Sequence, residues 1–126
     1  MKLRHILAAA ALTSFLPALS LAHDMEKGPN GGPVVEAAGH HVEFVDEGAG
    51  LSFFLSDEAG KPIESKGANG RAVIQDHGKT ETVPLASADP NKLTGNVPQP
   101  LGAGARVVLS ATLADGHSIQ ARFVKN

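Results

Sequence analysis

Residues 105–124 read ARVVLSATLADGHSIQARFV, and this stretch decides the fold class. In its last part apolar Ile119, Ala121 and Phe123 alternate with polar residues, which is the pattern of a strand with one buried face. Asp115-Gly116 lies between two such runs and favours a two-residue hairpin turn. The stretch therefore predicts two antiparallel strands joined by a tight turn.

The rest of the chain after its N-terminus follows the same pattern. Short apolar runs alternate with clusters of Gly, Pro, Asn and Asp, and no long helical period competes with them. The predicted strands are GPVVEA, HHVEFVDE, GLSFFLSD, GRAVIQD, KTETVPL, a short edge strand KLTGNV, ARVVLSATL and HSIQARFV. This pattern predicts an all-β domain, a small antiparallel immunoglobulin-like β-sandwich of seven to eight strands, with a small closed barrel as the alternative.

The core of this domain must be largely aliphatic, because the sequence has five Phe and no Trp or Tyr. It also has no Cys, so no disulfide can stabilise the fold. The alternation within the strands predicts a buried set consisting of Val42, Phe44, Phe53, Leu55, Ile74, Val83, Leu109, Leu113, Ile119 and Phe123.

The N-terminus has the features of a secretory signal peptide. A basic MKLRH precedes the apolar ILAAAALTSFLPALS, and Ser20-Leu21-Ala22 supplies the small residues at a cleavage site. A retained membrane anchor is the alternative, but Pro17 interrupts the apolar run. We therefore predict a signal-peptide helix over 1–22, a flexible leader over 23–31 and a β-domain over 32–126. Cleavage after Ala22 predicts a periplasmic protein that begins at His23.

Charge and composition exclude several classes of function. Loss of Lys2 and Arg4 reduces the 11 basic residues to 9, against 13 acidic ones, so the mature charge is about −4. This balance offers no basic patch for nucleic acid, and the processed chain has no segment that would hold it in a membrane. The absence of a Cys nucleophile and of a Gly-x-Ser-x-Gly elbow argues against an enzyme.

The histidine doublet His40–His41 is the strongest candidate for chemistry. Neighbouring residues on a strand point to opposite faces, so the two imidazoles cannot easily bind one metal ion. His41 and Glu43 are two residues apart and are predicted to face outward together, and imidazole plus carboxylate suits Zn(II), Cu(II), Ni(II) or Co(II). His40 is predicted to turn toward the edge of the core. The alternative is a solvated strand start without a metal.

A third ligand must come from elsewhere, and the candidates are His117, Glu36 and His23. After cleavage the α-amine and imidazole of His23 would form a bidentate site for Cu(II) or Ni(II). In an up-and-down strand topology, the His77 turn lies at the opposite end of the domain from His40–His41. His117 falls at the same end only if KLTGNV counts as a strand.

Five segments together resemble a known group of proteins. They read GGPVVEAAGHHVEFV, LSFFLSDEAGKPI, GKTETVPL, NKLTGNVPQPLGAGARVVLSATLADG and QARF. They are similar to small periplasmic proteins that resemble the N-terminal-side domain of periplasmic adaptor subunits of heavy-metal efflux pumps. The resemblance covers nearly the whole mature chain, and it implies that metal is bound at Glu36, His40, His41 and Glu43. The chain differs from the adaptors in lacking their coiled-coil hairpin and lipoyl-like segment.

These observations predict a periplasmic accessory protein that binds a divalent transition-metal ion in heavy-metal efflux or homeostasis. Its partner would then be a component of an efflux pump. The alternative is a secreted β-sandwich that binds a partner or has a structural role without metal. The sequence leaves the identity of the ion and the oligomeric state open.

Overall fold

The computed structural model describes residues 26–126, which form eight β-strands. The strands are β1 (Val34–Ala37), β2 (His40–Asp46), β3 (Gly50–Ser56), β4 (Asn69–Asp76), β5 (Lys79–Ala88), β6 (Lys92–Asn96), β7 (Arg106–Thr112) and β8 (Ser118–Val124). Each corresponds to one of the eight predicted strands. The predicted signal-peptide helix and the start of the leader lie outside the described residues. Over the part that is described, no helix has the length and apolarity needed to cross a membrane.

The strands form one continuous sheet in the order β1-β2-β3-β6-β5-β4-β7-β8, and all neighbours are antiparallel. The first and last strands also contact each other, so the sheet is a nearly closed barrel. The prediction of an antiparallel all-β domain is confirmed. The two-sheet immunoglobulin-like sandwich is not confirmed, because the long strand β5 pairs with β4 and, through Ala86–Ala88, with β6. A strand shared in this way joins the two halves of the sheet.

The interior contains all ten residues that the alternation predicted to be buried, none of them more than 5% exposed. At its centre three phenylalanine rings from three different strands pack together. Phe44 lies 5.3 Å from both Phe53 and Phe123, and Phe53 lies 5.9 Å from Phe123, measured between ring centroids. The prediction of the core is therefore confirmed, and its aromatic part connects β2, β3 and β8.

The hairpin of residues 105–124 is present, with a turn one residue longer than predicted. The Leu113 amide donates to the His117 carbonyl, and the Gly116 amide donates to the Leu113 carbonyl. Gly116 has φ of 92°, which is the left-handed conformation that ends a three-residue loop. The other hairpin signal, His77-Gly78, is a two-residue turn in which both residues have positive φ.

The two hairpin turns lie at opposite ends of the barrel. KLTGNV forms strand β6, and this strand adds one reversal of chain direction before β7. The loop Ala114–Gly116 therefore lies at the same end as the β1–β2 turn, which consists of Ala38 and Gly39. The His77 turn lies at the other end, where it contacts Gly102. The predicted remoteness of His77 from the doublet is thus confirmed.

Candidate metal centre

The structure places His40, the first histidine of the doublet, close to His117, which is far from it in the sequence. The tight turn of Ala38 and Gly39, with φ of 50° and 78°, places His40 at the first position of β2. His117 ends the β7–β8 loop and immediately precedes β8. The centroids of the two imidazole rings are 6.1 Å apart, and their planes are tilted by 54°.

Both rings have the Nδ1 atom engaged by an oxygen acceptor. His40 Nδ1 lies 2.9 Å from the Ala38 carbonyl oxygen, and His117 Nδ1 lies 2.8 Å from Oδ2 of Asp115. Neither oxygen carries a hydrogen, so each contact requires the hydrogen on Nδ1. In the neutral ring Nε2 then has a free lone pair. This is the usual arrangement of metal-ligating histidines, whose other nitrogen donates to a carbonyl or carboxylate.

The spacing of the two rings suits a shared ion. With metal–nitrogen bonds of about 2.0 Å, two imidazoles on one tetrahedral ion have centroids about 5 Å apart. The observed 6.1 Å is about 1 Å longer, and small rotations of the exposed His117 and the partly exposed His40 can close this gap. Within residues 26–126 no group of three or more His, Asp or Glu side chains could hold a metal. The pair thus offers two nitrogen ligands, and solvent would complete the coordination.

Asp115 fixes the orientation of His117 and stays ionised under acidic conditions. The backbone N–H of His117 donates to Asp115 Oδ1 over 2.9 Å, and this bond is the largest cause of a lowered pKa of the Asp115 carboxyl. The side-chain hydrogen bond with His117 and the positive charges of His117 and His40 lower this pKa further. Asp115 is therefore held as an ionised acceptor for the hydrogen on His117 Nδ1.

Glu43 lies on the outward side of β2 and lines the same surface groove as His41, but the N-terminal loop covers it, so it is not the solvent-accessible ligand that was predicted. Its side chain points away from the core, as the alternation requires, but it is only 3% exposed. Its Oε2 accepts hydrogen bonds from the backbone amides of Asn30 and Gly32, at 2.9 and 2.8 Å. Its Oε1 accepts one from Asn30 Nδ2 at 3.1 Å. The carboxylate organises the N-terminal loop, and its oxygens are occupied by these donors.

The loop 26–33 covers Glu43 closely, although part of it was predicted to be a flexible leader. A Cβ atom on Gly28 would lie 2.5 Å from Glu43 Cδ, and one on Gly32 would lie 2.0 Å from the Phe44 carbonyl oxygen. Only glycine permits these approaches. The run of glycines in EKGPNGGP suggested flexibility, whereas the structure uses two of them for contact with β2.

The other candidate ligands are separated from His40 and His117. His41 and Glu36 are register partners on β2 and β1, and His41 Nε2 lies 3.7 Å from Glu36 Oε2. This pair lies on the outer face of the sheet, where Glu36 is well exposed. His23 is outside the described residues. The sequence had included His40 and His117 as candidates but had not paired them.

Comparison with protein-family models, curated proteins and solved structures gave no match. The resemblance to the adaptor domain of efflux pumps therefore stays a prediction.

Proposed function

We propose that this chain is a periplasmic accessory protein that binds a divalent transition-metal ion through His40 and His117. The proposal is carried by the proximity of two imidazoles whose Nδ1 atoms are both hydrogen-bonded to protein oxygens. This leaves both Nε2 lone pairs free to bind an added metal ion. Imidazole suits Zn(II), Cu(II), Ni(II) and Co(II), and Cu(II) should bind most tightly of these.

Two protein ligands with solvent in the remaining positions give weak and exchangeable binding. A closed structural site, by contrast, has four protein ligands. Exchangeable binding suits a protein that delivers or buffers metal, which agrees with the signal-peptide pattern and with the resemblance to efflux adaptors. We therefore extend the proposal to a role in heavy-metal efflux or homeostasis, with a pump component as the partner.

Titration of the mature protein with Cu(II), Zn(II), Ni(II) and Co(II) tests this proposal. His40→Ala and His117→Ala should each weaken metal binding at least tenfold, because each variant keeps one imidazole ligand where the wild type has two. His77→Ala is the matched control, since His77 also contacts an aspartate but lies at the other end of the barrel. It should leave the affinity unchanged.

His41→Ala distinguishes this site from the one predicted from the sequence alone. Under the proposal this variant retains most of the affinity. A loss at His41→Ala that exceeds the loss at His40→Ala would move the site to the outer face beside Glu36. Absence of binding below millimolar metal would assign the chain to the partner-binding class instead.

Asp115→Asn should reduce the metal affinity by about ten- to a hundredfold, the usual effect of losing the partner of a ligating histidine. Binding by the wild type should also fall as the pH drops from 7 to about 5, because protonated imidazole cannot coordinate. The lowered pKa of Asp115 keeps its carboxylate ionised in that range, so the predicted loss does not come from Asp115 losing its charge. Competition with a chromophoric chelator at several pH values measures both effects.

Asp76→Asn is the control for this change. Asp76 Oδ1 lies 2.7 Å from His77 Nδ1, which reproduces the aspartate–imidazole contact at the other end of the barrel. We expect wild-type affinity from Asp76→Asn. Equal losses in the two variants would show that Asp115 acts through general charge and not through His117.

A further inference from the structure

The outer face of the four neighbouring strands β5, β4, β7 and β8 has an unusual charge distribution. On each strand the residues that alternate with the buried positions face outward. Those outward residues include Arg71, Arg106 and Arg122 but no Asp or Glu. We refer to this surface as the arginine face.

The three arginines surround one apolar position, Val108 on β7. Arg122 on β8 is its register partner, and Arg106 is the preceding outward residue of β7 itself. Arg71 on β4 pairs with Ser110, which is the next outward residue after Val108. Val73 is the register partner of Val108 on β4, and both valines are only partly buried. The arginine face thus has a small apolar centre with cationic side chains around it.

The positive charges of this surface are not neutralised locally. None of the ion pairs found among residues 26–126 includes an arginine. Exposed acidic side chains include Glu36 on β1 and Glu58 and Glu64 in the loop between β3 and β4. Glu81 on β5 is also exposed, but it is the register partner of the inward-facing Ile74 and so does not belong to the outward set. A chain with more acidic than basic residues therefore has four neighbouring strands whose outward-facing positions carry no acidic side chain.

A shallow groove of about 620 Å³ adjoins Arg71 on the same face. Its lining includes the hydroxyl or amide side chains of Thr82, Ser110 and Gln120. These groups can donate hydrogen bonds to oxygen acceptors, and arginine binds carboxylates through two parallel N–H···O bonds. The surface therefore supplies donors and positive charge together.

We propose that the arginine face docks an acidic protein partner that presents carboxylates around a small apolar contact. A flat surface with arginines at the rim and apolar side chains at the centre has the composition of a transient protein interface. A lipid surface is less suitable, because membrane-binding faces insert Trp, Phe or Leu. Across the described residues the exposed large hydrophobic side chain is Val124. The proposal does not depend on metal binding.

Fluorescence anisotropy with labelled poly-L-glutamate as the probe tests the proposal at low salt. The informative variant replaces the three arginines by Arg71→Gln, Arg106→Gln and Arg122→Gln. The matched control has the same change in net charge on exposed residues elsewhere, by Lys27→Gln, Lys61→Gln and Lys66→Gln. Thermal unfolding followed by circular dichroism checks that both variants fold. We expect at least tenfold weaker binding in the arginine variant, less than a twofold change in the control, and weaker wild-type binding at 300 mM NaCl.

Four results would overturn the proposal. The first is no binding of poly-L-glutamate to the wild type at millimolar concentration, and the second is an equal loss in the two triple variants. The third is arginine-dependent binding to vesicles of phosphatidylglycerol and phosphatidylcholine without binding to poly-L-glutamate, which would identify a lipid surface. The fourth is an arginine-dependent dimer in sedimentation experiments, which would identify a second copy of the chain.

Discussion

Phe123→Ala should lower the free energy of unfolding by about 3–5 kcal/mol, the range for removing a buried phenylalanine. Phe123 is 1% exposed and packs on both Phe44 and Phe53. Strand β8 is hydrogen-bonded into the sheet through β7, and its approach to β2 is supported by this side-chain contact together with the Lys125–Asp46 ion pair just after β8. The substitution would leave a cavity and weaken the closure of the barrel, in a domain expected to be stable by only about 5–15 kcal/mol.

Urea unfolding followed by far-UV circular dichroism measures this effect, because the chain has no Trp or Tyr for fluorescence. Val124→Ala is the control on the same strand, since Val124 faces outward and is 50% exposed. It should change the stability by less than about 0.5 kcal/mol. Equal costs at the two positions would contradict the assignment of the core face of β8.

Glu43→Ala should lower the free energy of unfolding by about 2–4 kcal/mol, because it leaves one buried and two partly buried hydrogen-bond donors without an acceptor. The donors are the Asn30 and Gly32 backbone amides and the Asn30 side-chain amide. Glu43→Gln should cost less, since its amide oxygen can replace Oε2 and the Asn30 amide can reverse its orientation to accept from the new NH₂ group.

Amide hydrogen exchange gives the local readout for Glu43. The Asn30 and Gly32 amides should exchange at least tenfold faster in Glu43→Ala, while Glu36→Ala on the exposed outer face should leave them unchanged. Unchanged exchange and unchanged stability in Glu43→Ala would mean that the loop 26–33 does not depend on this carboxylate.

The strands and the core could be predicted from the sequence because both follow from local alternation. Ile119, Ala121 and Phe123 are all buried, as their spacing required. The order of the strands could not be predicted, because it depends on long-range pairing. The pairing of β5 with both β4 and β6 is one such feature, and no local pattern in KTETVPL indicates it.

The candidate metal centre was predictable only in part. His40 and His41 have different neighbours, His117 and Glu36, as expected for adjacent strand residues, but the alternation could not identify which histidine would lie near a residue distant in sequence. The proximity of His117 to His40 follows from the number of strands between them, and thus from counting KLTGNV as a strand. The burial of Glu43 was missed because the loop that covers it contains many turn-forming residues and suggested flexibility.

Imidazole ¹⁵N–¹H correlation spectra of the protein, recorded before and after zinc is added, test the shared site at His40 and His117 most directly. Without zinc, His40 and His117 should both show the tautomer with hydrogen on Nδ1. With zinc, the Nε2 resonances of these two residues should shift together while His41 and His77 stay unchanged. A shift confined to His41, or no shift at millimolar zinc, would contradict the account of a shared site at His40 and His117.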